Sequence, residues 1–363
     1  MNWQKLRAEF PALLDWTWLN TATFGQVPTR ARMAVDRHFA RRDETACADF
    51  LSWFDDMDAL RGLVAQLIHC DAGDIAFAMN AASALSLFLG GMEWHAGDRI
   101  VTLRDEFPNQ YYFAASLAER GVTLVEQDSI DSLPERTRAV LVSTANYSNG
   151  YRPDLLRVSQ LAHEVGALLY VDGTQSVGAL RFDVAAIKPD MVAVDGYKWL
   201  LCPNGATFFY VAPDLRPRLR PSVIGWRSDQ GWRSVDELHH GAPKWPEAAE
   251  RYEGGMLNFP SLYGLHESVR MILEIGPDLI EQRVLELAGL TAEILRCSGA
   301  TILNENTHII AAHWPGREAS AIARALQTEG IIVAARHGNL RVSPHFYNTE
   351  EDLSKLEMAL LRT

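Results

Sequence analysis

Between residues 70 and 212 the sequence repeats one unit: a short apolar run, a turn, then an amphipathic stretch. Short apolar runs bounded by turn residues read as buried strands, and stretches with apolar positions every three to four residues read as helices. Their alternation dictates crossover connections, and hence a doubly wound, mainly parallel sheet in an α/β fold. The predicted strands are 74–78, 98–103, 123–126, 139–143, 167–171, 191–194 and 206–211, with helices over 108–120 and 153–166.

Residues 213–258 break this rhythm with prolines, glycines and tryptophans, as in RPRLRPSVIGWRS and HHGAPKWPEAAERYEGG, and read as long loops around a site. After Pro260 come two helical patterns, 261–275 and 277–297. Short strands at 301–304, 307–313, 331–335 and 339–343 follow, with a helix between them and a final helix from Thr349. The expected division is a large domain over 20–260 and a smaller C-terminal α/β domain of 261–363 with residues 1–19.

The 363 residues, 48% of them hydrophobic, suffice for cores of that size. A formal net charge of -12 argues against a nucleic-acid partner, which requires a basic stripe, and favours a small metabolite. Charges interrupt the apolar residues of MNWQKLRAEFPALLDW, and no later apolar run is long enough to span a bilayer, so the expected location is the cytoplasm. Cys47, Cys70, Cys202 and Cys297 lie far apart without a CxxC pair, which suits a reducing compartment and offers no metal spacing.

Among 34 basic residues the lysines are Lys5, Lys188, Lys198, Lys244 and Lys355. In open α/β sheets ligands gather at the carboxyl ends of the strands. Asn146 follows one predicted strand, Asp172 and Gln175 another, and Lys198 a third, so all four are expected on one rim. An ion pair closing the sheet edge is the plain reading of an acid and a lysine so placed. The alternative is chemical: a desolvated lysine loses its proton and attacks an aldehyde.

The runs VDGTQSVGALRFDV, DMVAVDGYKWLLCPNGATFFYV, IGWRS and HGNLRVSPHFYNTEEDL favour the second reading. In that order they resemble the class V family of pyridoxal 5′-phosphate (PLP) enzymes, of the fold-type-I transferase architecture, across nearly the whole chain. NAASALSLF, DEFPNQYYFAAS and NYSNGYRPDL are similar to its kynureninase-like and selenocysteine-lyase-like branch.

The resemblance implies an enzyme acting on an α-amino acid, a transferase or lyase, with PLP held as a Schiff base by Lys198. Asp172 would face the pyridine nitrogen, a charge-assisted bond that keeps the ring an electron sink, and Gln175 the phenolic oxygen. Asn146 falls in the same cofactor pocket. Phe107 matches the ring-stacking position, although simple core packing also explains a phenylalanine there. Ala82 and Ser83 would hold the phosphate at a helix start, where an ordinary N-cap serine is the competing reading. Tyr197 and Trp226 match positions that reach the phosphate or line its pocket. Residues 254–258 resemble a loop offered by a neighbouring subunit, which implies a homodimer. Arg341 matches the arginine that grips the substrate carboxylate.

Two departures mark this chain. Cysteine desulfurases carry a nucleophilic cysteine shortly before that arginine, yet VAARHGNLRVSPHF has none, which argues against persulfide chemistry. They also stack a histidine on the ring and place another before the lysine, where Phe107 and Tyr197 stand here. The substrate loops differ from those of kynureninase as well, so kynurenine is not the expected substrate. His239, His240, His337 and His345 are spare acid–base candidates near the expected site, but lone histidines are more often structural, and they are left out of the catalytic set. The absence of GxGxxG after any strand excludes a dinucleotide fingerprint. The competing class of function is a PLP-fold regulator or scaffold without turnover.

Overall fold

The computed structural model describes residues 1–362. A short helix α1 (Trp3–Arg7) and a two-residue strand β1 (Thr17–Trp18) precede two long helices, α2 (Thr29–Thr45) and α3 (Phe50–Ile68). The seven predicted strands follow as β2 (Ile75–Ala78), β3 (Arg99–Leu103), β4 (Thr123–Gln127), β5 (Thr137–Ser143), β6 (Leu168–Asp172), β7 (Met191–Asp195) and β8 (Thr207–Val211). Helices α4 (Ala81–Gly91), α5 (Pro108–Ser116), α6 (Leu155–Glu164) and the short α7 (Val184–Ile187) lie between them. Residues 212–258 hold only single 3-10 turns before α8 (Phe259–Ile275) and α9 (Pro277–Cys297). The remainder comprises β9 (Thr301–Ile302), β10 (Ile310–His313), α10 (Ala319–Thr328), β11 (Ile331–Ile332), β12 (Ala334–Arg336), β13 (Asn339–Val342) and α11 (Glu350–Leu360).

Strands β2 to β8 form one sheet in the order β2-β8-β7-β6-β5-β3-β4. Its pairs are parallel except those of β8, which runs antiparallel to β2 and β7. The link from β7 to β8 carries no helix, and a parallel return needs a crossover of a dozen or more residues. Side chains alternate between two cores. Val140, Val142, Leu169, Val171, Val192 and Val194 pack with Met57 of α3 and Leu265 of α8. Ala139, Leu141, Tyr170, Met191 and Ala193 pack with Leu85 and Phe88 of α4. Burial on both faces is why these strands read as continuous apolar runs.

Strands β12-β13-β10-β9 form a second, antiparallel sheet. Its core joins Leu287 of α9, Ile322 and Leu326 of α10, Leu340 and Val342 of β13 and Leu356 of α11. Thr349 caps α11, accepting from the Asp352 amide, where the sequence predicts the helix start.

Several boundaries differ from expectation. The run at 331–335 splits, because Thr17 and Trp18 draw Ile331 and Ile332 into a parallel pair while 334–336 join β13. The strand expected from 307 begins at Ile310, since the Thr307 hydroxyl donates instead to the Gly150 carbonyl at 2.7 Å. Helix α5 ends at Ser116 and tightens into a 3-10 turn closed by Gly121, whose φ is 76°. Helices α2 and α3 have no counterpart in the sequence reading. Among the described residues no helix is long and apolar enough to cross a membrane.

Candidate active site

Strand β3 has β4 on one side and β5 on the other, so consecutive connections diverge there and open a crevice at the strand ends. Phe107 follows β3, Asn146 follows β5, Asp172 ends β6 with Gln175 behind it, and Lys198 follows β7. The structure therefore brings these five to one rim.

Lys198 is 8% exposed, and its Nζ stands 5.5 Å from the ring centroids of both Phe107 and Tyr197. Burial draws the ammonium down to about 8, against the opposing pull of Asp172 and Asp195. Near neutrality an appreciable share of Lys198 is thus the nucleophilic free amine. The Tyr197 phenol is pushed up to about 12 by burial, with Asp195 and Asp172 adding to the shift, and stays protonated.

Asp172 is buried, and desolvation raises its pKa even though Thr174 donates to it, with the amide 2.9 Å from Oδ1. A carboxylate accepts about four hydrogen bonds, so capacity remains for a further N–H. Gln175 Nε2 donates to the Ala22 carbonyl (3.1 Å), and Trp199 Nε1 donates to Gln175 Oε1 (3.0 Å). The second Gln175 N–H is left for a ligand.

His345 Nδ1 accepts from the Phe346 amide (2.7 Å), which leaves Nε2–H to donate to the Trp199 carbonyl at 3.0 Å. His308 Nε2 meets the Gln175 carbonyl at 2.5 Å. Burial lowers these imidazoles to about 4 and about 3. They are neutral braces holding the backbone beside Lys198 and Gln175. His337 is exposed, and its Nε2 lies 2.7 Å from the Tyr147 hydroxyl.

Asn146 Oδ1 caps its own turn, accepting from the Ser148 amide (2.9 Å) and hydroxyl (2.7 Å), while Nδ2 donates to the Asp105 carbonyl (2.8 Å). Its neighbour on the rim, Glu106, was missed by the sequence reading. Glu106 accepts from the Ser143 amide (2.7 Å) and hydroxyl (2.6 Å), and its acid is pushed up to about 7 chiefly by burial. Its signal was a charged residue between a strand end and the proline that starts a helix.

Arg341 is 1% exposed and has no carboxylate partner among the described residues. NH1 donates to the Tyr147 carbonyl (2.5 Å), and NH2 donates to Thr23 Oγ1 (2.5 Å) and Asn20 Oδ1 (3.1 Å), while buried Nε has no acceptor. Burial holds this guanidinium down to about 9. Its partners expose a second omission: residues 20–25 form a wall of the site. That wall presses so close that a Cβ on Gly25 would lie 1.9 Å from the Lys198 carbonyl oxygen.

At the other end, Ala82 is half-buried and Ser83 exposed in the first turn of α4. Asn80 Oδ1 takes both the Ser83 amide (2.8 Å) and hydroxyl (2.9 Å), and Asp195 Oδ1 takes the Ala81 amide (2.7 Å). The Trp226 ring lies edge-on to those of Trp232 (5.6 Å) and Phe54 (6.2 Å), one residue before Arg227, which donates to buried Glu253. Glu253 accepts from Arg61 (2.7 Å), Arg227 (2.8 Å) and the Phe77 amide (2.8 Å), fixing the start of the 254–258 segment to β2.

Comparison with known proteins agrees with this geometry. The model of the family described as Aminotransferase class-V matches residues 51–356. A probable cysteine desulfurase of Methanothermobacter thermautotrophicus is 26% identical, with 98% of this chain and 96% of that protein covered. The isopenicillin N epimerase of Streptomyces clavuligerus is 25% identical over 99% of this chain and 98% of its own. Among solved structures, the cystine C-S lyase C-DES in complex with its product cysteine persulfide superposes with a TM-score of 0.87 at 22% identity, covering 97% of this chain and 98% of that one. The cysteine desulfurase from Thermococcus onnurineus gives the same TM-score at 21% identity, with 99% and 97% covered. Sheet order, strand-end chemistry and family match converge: this chain belongs to the class-V aminotransferase family of PLP-dependent enzymes.

Proposed function

We propose that Lys198 holds PLP and carries the proton at the α-carbon of an amino-acid substrate. The observation that carries this reading is the buried Lys198 amine, drawn down to about 8, set between two aromatic rings and beside a buried acid. When bound, the cofactor supplies a conjugated ring that takes up the electrons released as a bond to the α-carbon breaks.

The residues fit that group. Asp172 offers spare acceptor capacity to a ring N–H, Gln175 a free N–H to the phenolic oxygen, and Phe107 a flat apolar face. The first turn of α4, with Ala82 and Ser83, presents the positive end of a helix dipole to the phosphate, and Tyr197 closes that side. Ser83 would turn its hydroxyl away from Asn80 to take part. Arg341, buried without an acid, receives the substrate's α-carboxylate. Asn146 stays mainly a turn cap, with one N–H directed elsewhere than its own loop.

The chemistry uses no protein thiol. Cys202 is buried and burial pushes its thiol far up, while Cys297 is exposed at the end of α9. With Phe107 at the stacking position, this favours the kynureninase-like side of the family, and transamination or loss of a β-substituent over persulfide transfer. Exposed Met256 within the 254–258 segment, with exposed Met79, Val223 and Ile224 outside it, offers the apolar surface that an interface between two copies would require, and Trp226 would serve that joint site. The cysteines form no disulfide, consistent with the cytoplasm.

Borohydride reduction of the purified holoenzyme followed by peptide mapping tests the reading. Cofactor fixed to Lys198 supports it, and fixation elsewhere, or a colourless protein that takes up no added PLP, overturns it. Product analysis with a panel of amino acids then separates transfer from elimination.

A further inference from the structure

Arg341 does not stand alone. Thr23 Oγ1 accepts from Arg341 NH2 at 2.5 Å and from Arg336 NH2 at 3.4 Å, so one hydroxyl is shared by two guanidinium groups. That hydroxyl in turn donates a hydrogen bond to Asn20 Oδ1 at 2.9 Å. The other bond of Arg336, from NH1, goes to the Ala335 carbonyl at 2.8 Å. Among the described residues neither arginine has a carboxylate within ion-pair distance, although the chain holds 46 acidic residues against 34 basic ones. Arginines elsewhere, such as Arg61, Arg216, Arg227 and Arg283, each have an acid.

Two adjacent cations repel one another, and the repulsion grows as water is removed. Here the deeper one is 1% exposed with an orphaned Nε, and the second is half-buried at the end of β12. The pair continues around the rim. His337 follows Arg336 and bonds the Tyr147 hydroxyl, the Tyr147 ring meets Phe107 edge-on at 5.2 Å, and Phe107 lies under Lys198. A single guanidinium suffices for an α-carboxylate, so the second is unexplained by the recognition common to all α-amino acids.

We propose that the substrate is an α-amino acid whose side chain ends in a second acidic group, and that Arg336 binds that group while Arg341 holds the α-carboxylate. The proposal rests on the functional reading above and narrows its substrate class. An anionic side chain relieves the repulsion between the guanidiniums, whereas a neutral one leaves Arg336 unpaired in the complex. One charge-assisted hydrogen bond at such a site corresponds to about tenfold or more in affinity.

The test uses unreactive ligands with the holoenzyme. Calorimetry compares succinate and glutarate, which carry two carboxylates, with propionate and butyrate, which carry one. The expected result is that at least one dicarboxylate binds about tenfold tighter than its monocarboxylate counterpart. Arg336→Gln is expected to erase that advantage, with circular dichroism showing the fold kept. Arg341→Gln weakens both series. Equal affinities for mono- and dicarboxylates, or equal losses of both in Arg336→Gln, overturn the proposal. The calorimetric comparison requires no turnover and can be made with or without bound cofactor, so a protein that takes up no PLP would sink the functional reading while the dicarboxylate comparison still decides the second anion site.

Discussion

The Nζ of Lys198 stands 5.5 Å from the centroid of the Phe107 ring, the gap in which a flat cofactor is placed by the reading above. Truncating that ring removes one wall of the gap without touching the amine. Phe107→Ala is expected to weaken PLP affinity by roughly tenfold while leaving covalent attachment to Lys198 intact. Equilibrium titration of apoprotein with PLP measures the first, and reduction with borohydride the second.

Lys198 also sets a pH dependence. Only the free amine attacks the aldehyde, and burial brings its midpoint to about 8. The rate of PLP uptake by apoprotein should climb from pH 7 to 9 and then level off, whereas an ordinary lysine keeps gaining until its own pKa of about 10.4. A rate still rising steeply at pH 10 would show that the amine is not desolvated.

Glu106 makes the opposite demand on the fold. Its acid is raised from 4.5 to about 7, so the folded state binds the proton more tightly than the unfolded chain. Stability from this group is fully present below pH 4.5 and lost as pH rises through about 7. Glu106→Gln mimics the protonated acid and should be the more stable protein above pH 7, on the order of 3 kcal/mol by linkage, with the difference vanishing in acid. Urea unfolding at pH 4.5 and 8 reads the crossover.

Glu253 lies buried between Arg61 and Arg227. Glu253→Ala would strand both guanidiniums in the interior and is expected to destabilise the protein by about 3–5 kcal/mol, seen as a lower urea midpoint. A loss below about 1 kcal/mol would mean that water reaches the pair.

The inner strands of the large sheet, such as β5, β6, β7 and β8, were legible because they are buried on both faces, which leaves a nearly unbroken apolar run, whereas the exposed edge strand β4, TLVEQ, was legible only from its place in the alternation. The same logic failed for α2. Its pattern, TRARMAVDRHFARRDET, is polar almost throughout and buries only Ala31, Ala34 and His38, so tertiary packing rather than a wide apolar stripe holds it. Strand-end residues such as Asp172 and Lys198 were legible because the rhythm implies mainly parallel strands, and the ends of parallel strands share one side. Asn20, Thr23 and Arg336 were not. They reach the site through contacts with β13 and its neighbourhood, and no local pattern encodes a pairing between segments more than three hundred residues apart. The histidines needed coordinates as well, since only the carbonyls facing them distinguish a brace from a base.

The pairing of the chain's early and late segments has a bearing on how the enzyme is made. Thr17 pairs with Ile331, and the Thr21 hydroxyl meets that of Tyr347, 326 positions later, at 2.8 Å. On the ribosome the last strand of the large sheet ends at Val211, yet Arg341 has still to be synthesised. At about 5–20 residues per second that interval lasts roughly 6 to 26 seconds. Throughout it Asn20 and Thr23 have no guanidinium to hold, and the sheet's rim stands open on one side. A nascent chain can therefore assemble Lys198 and Asp172 on the rim well before residues 20–25 gain their partner in β13, and, on the proposed reading, before it can grip a substrate carboxylate.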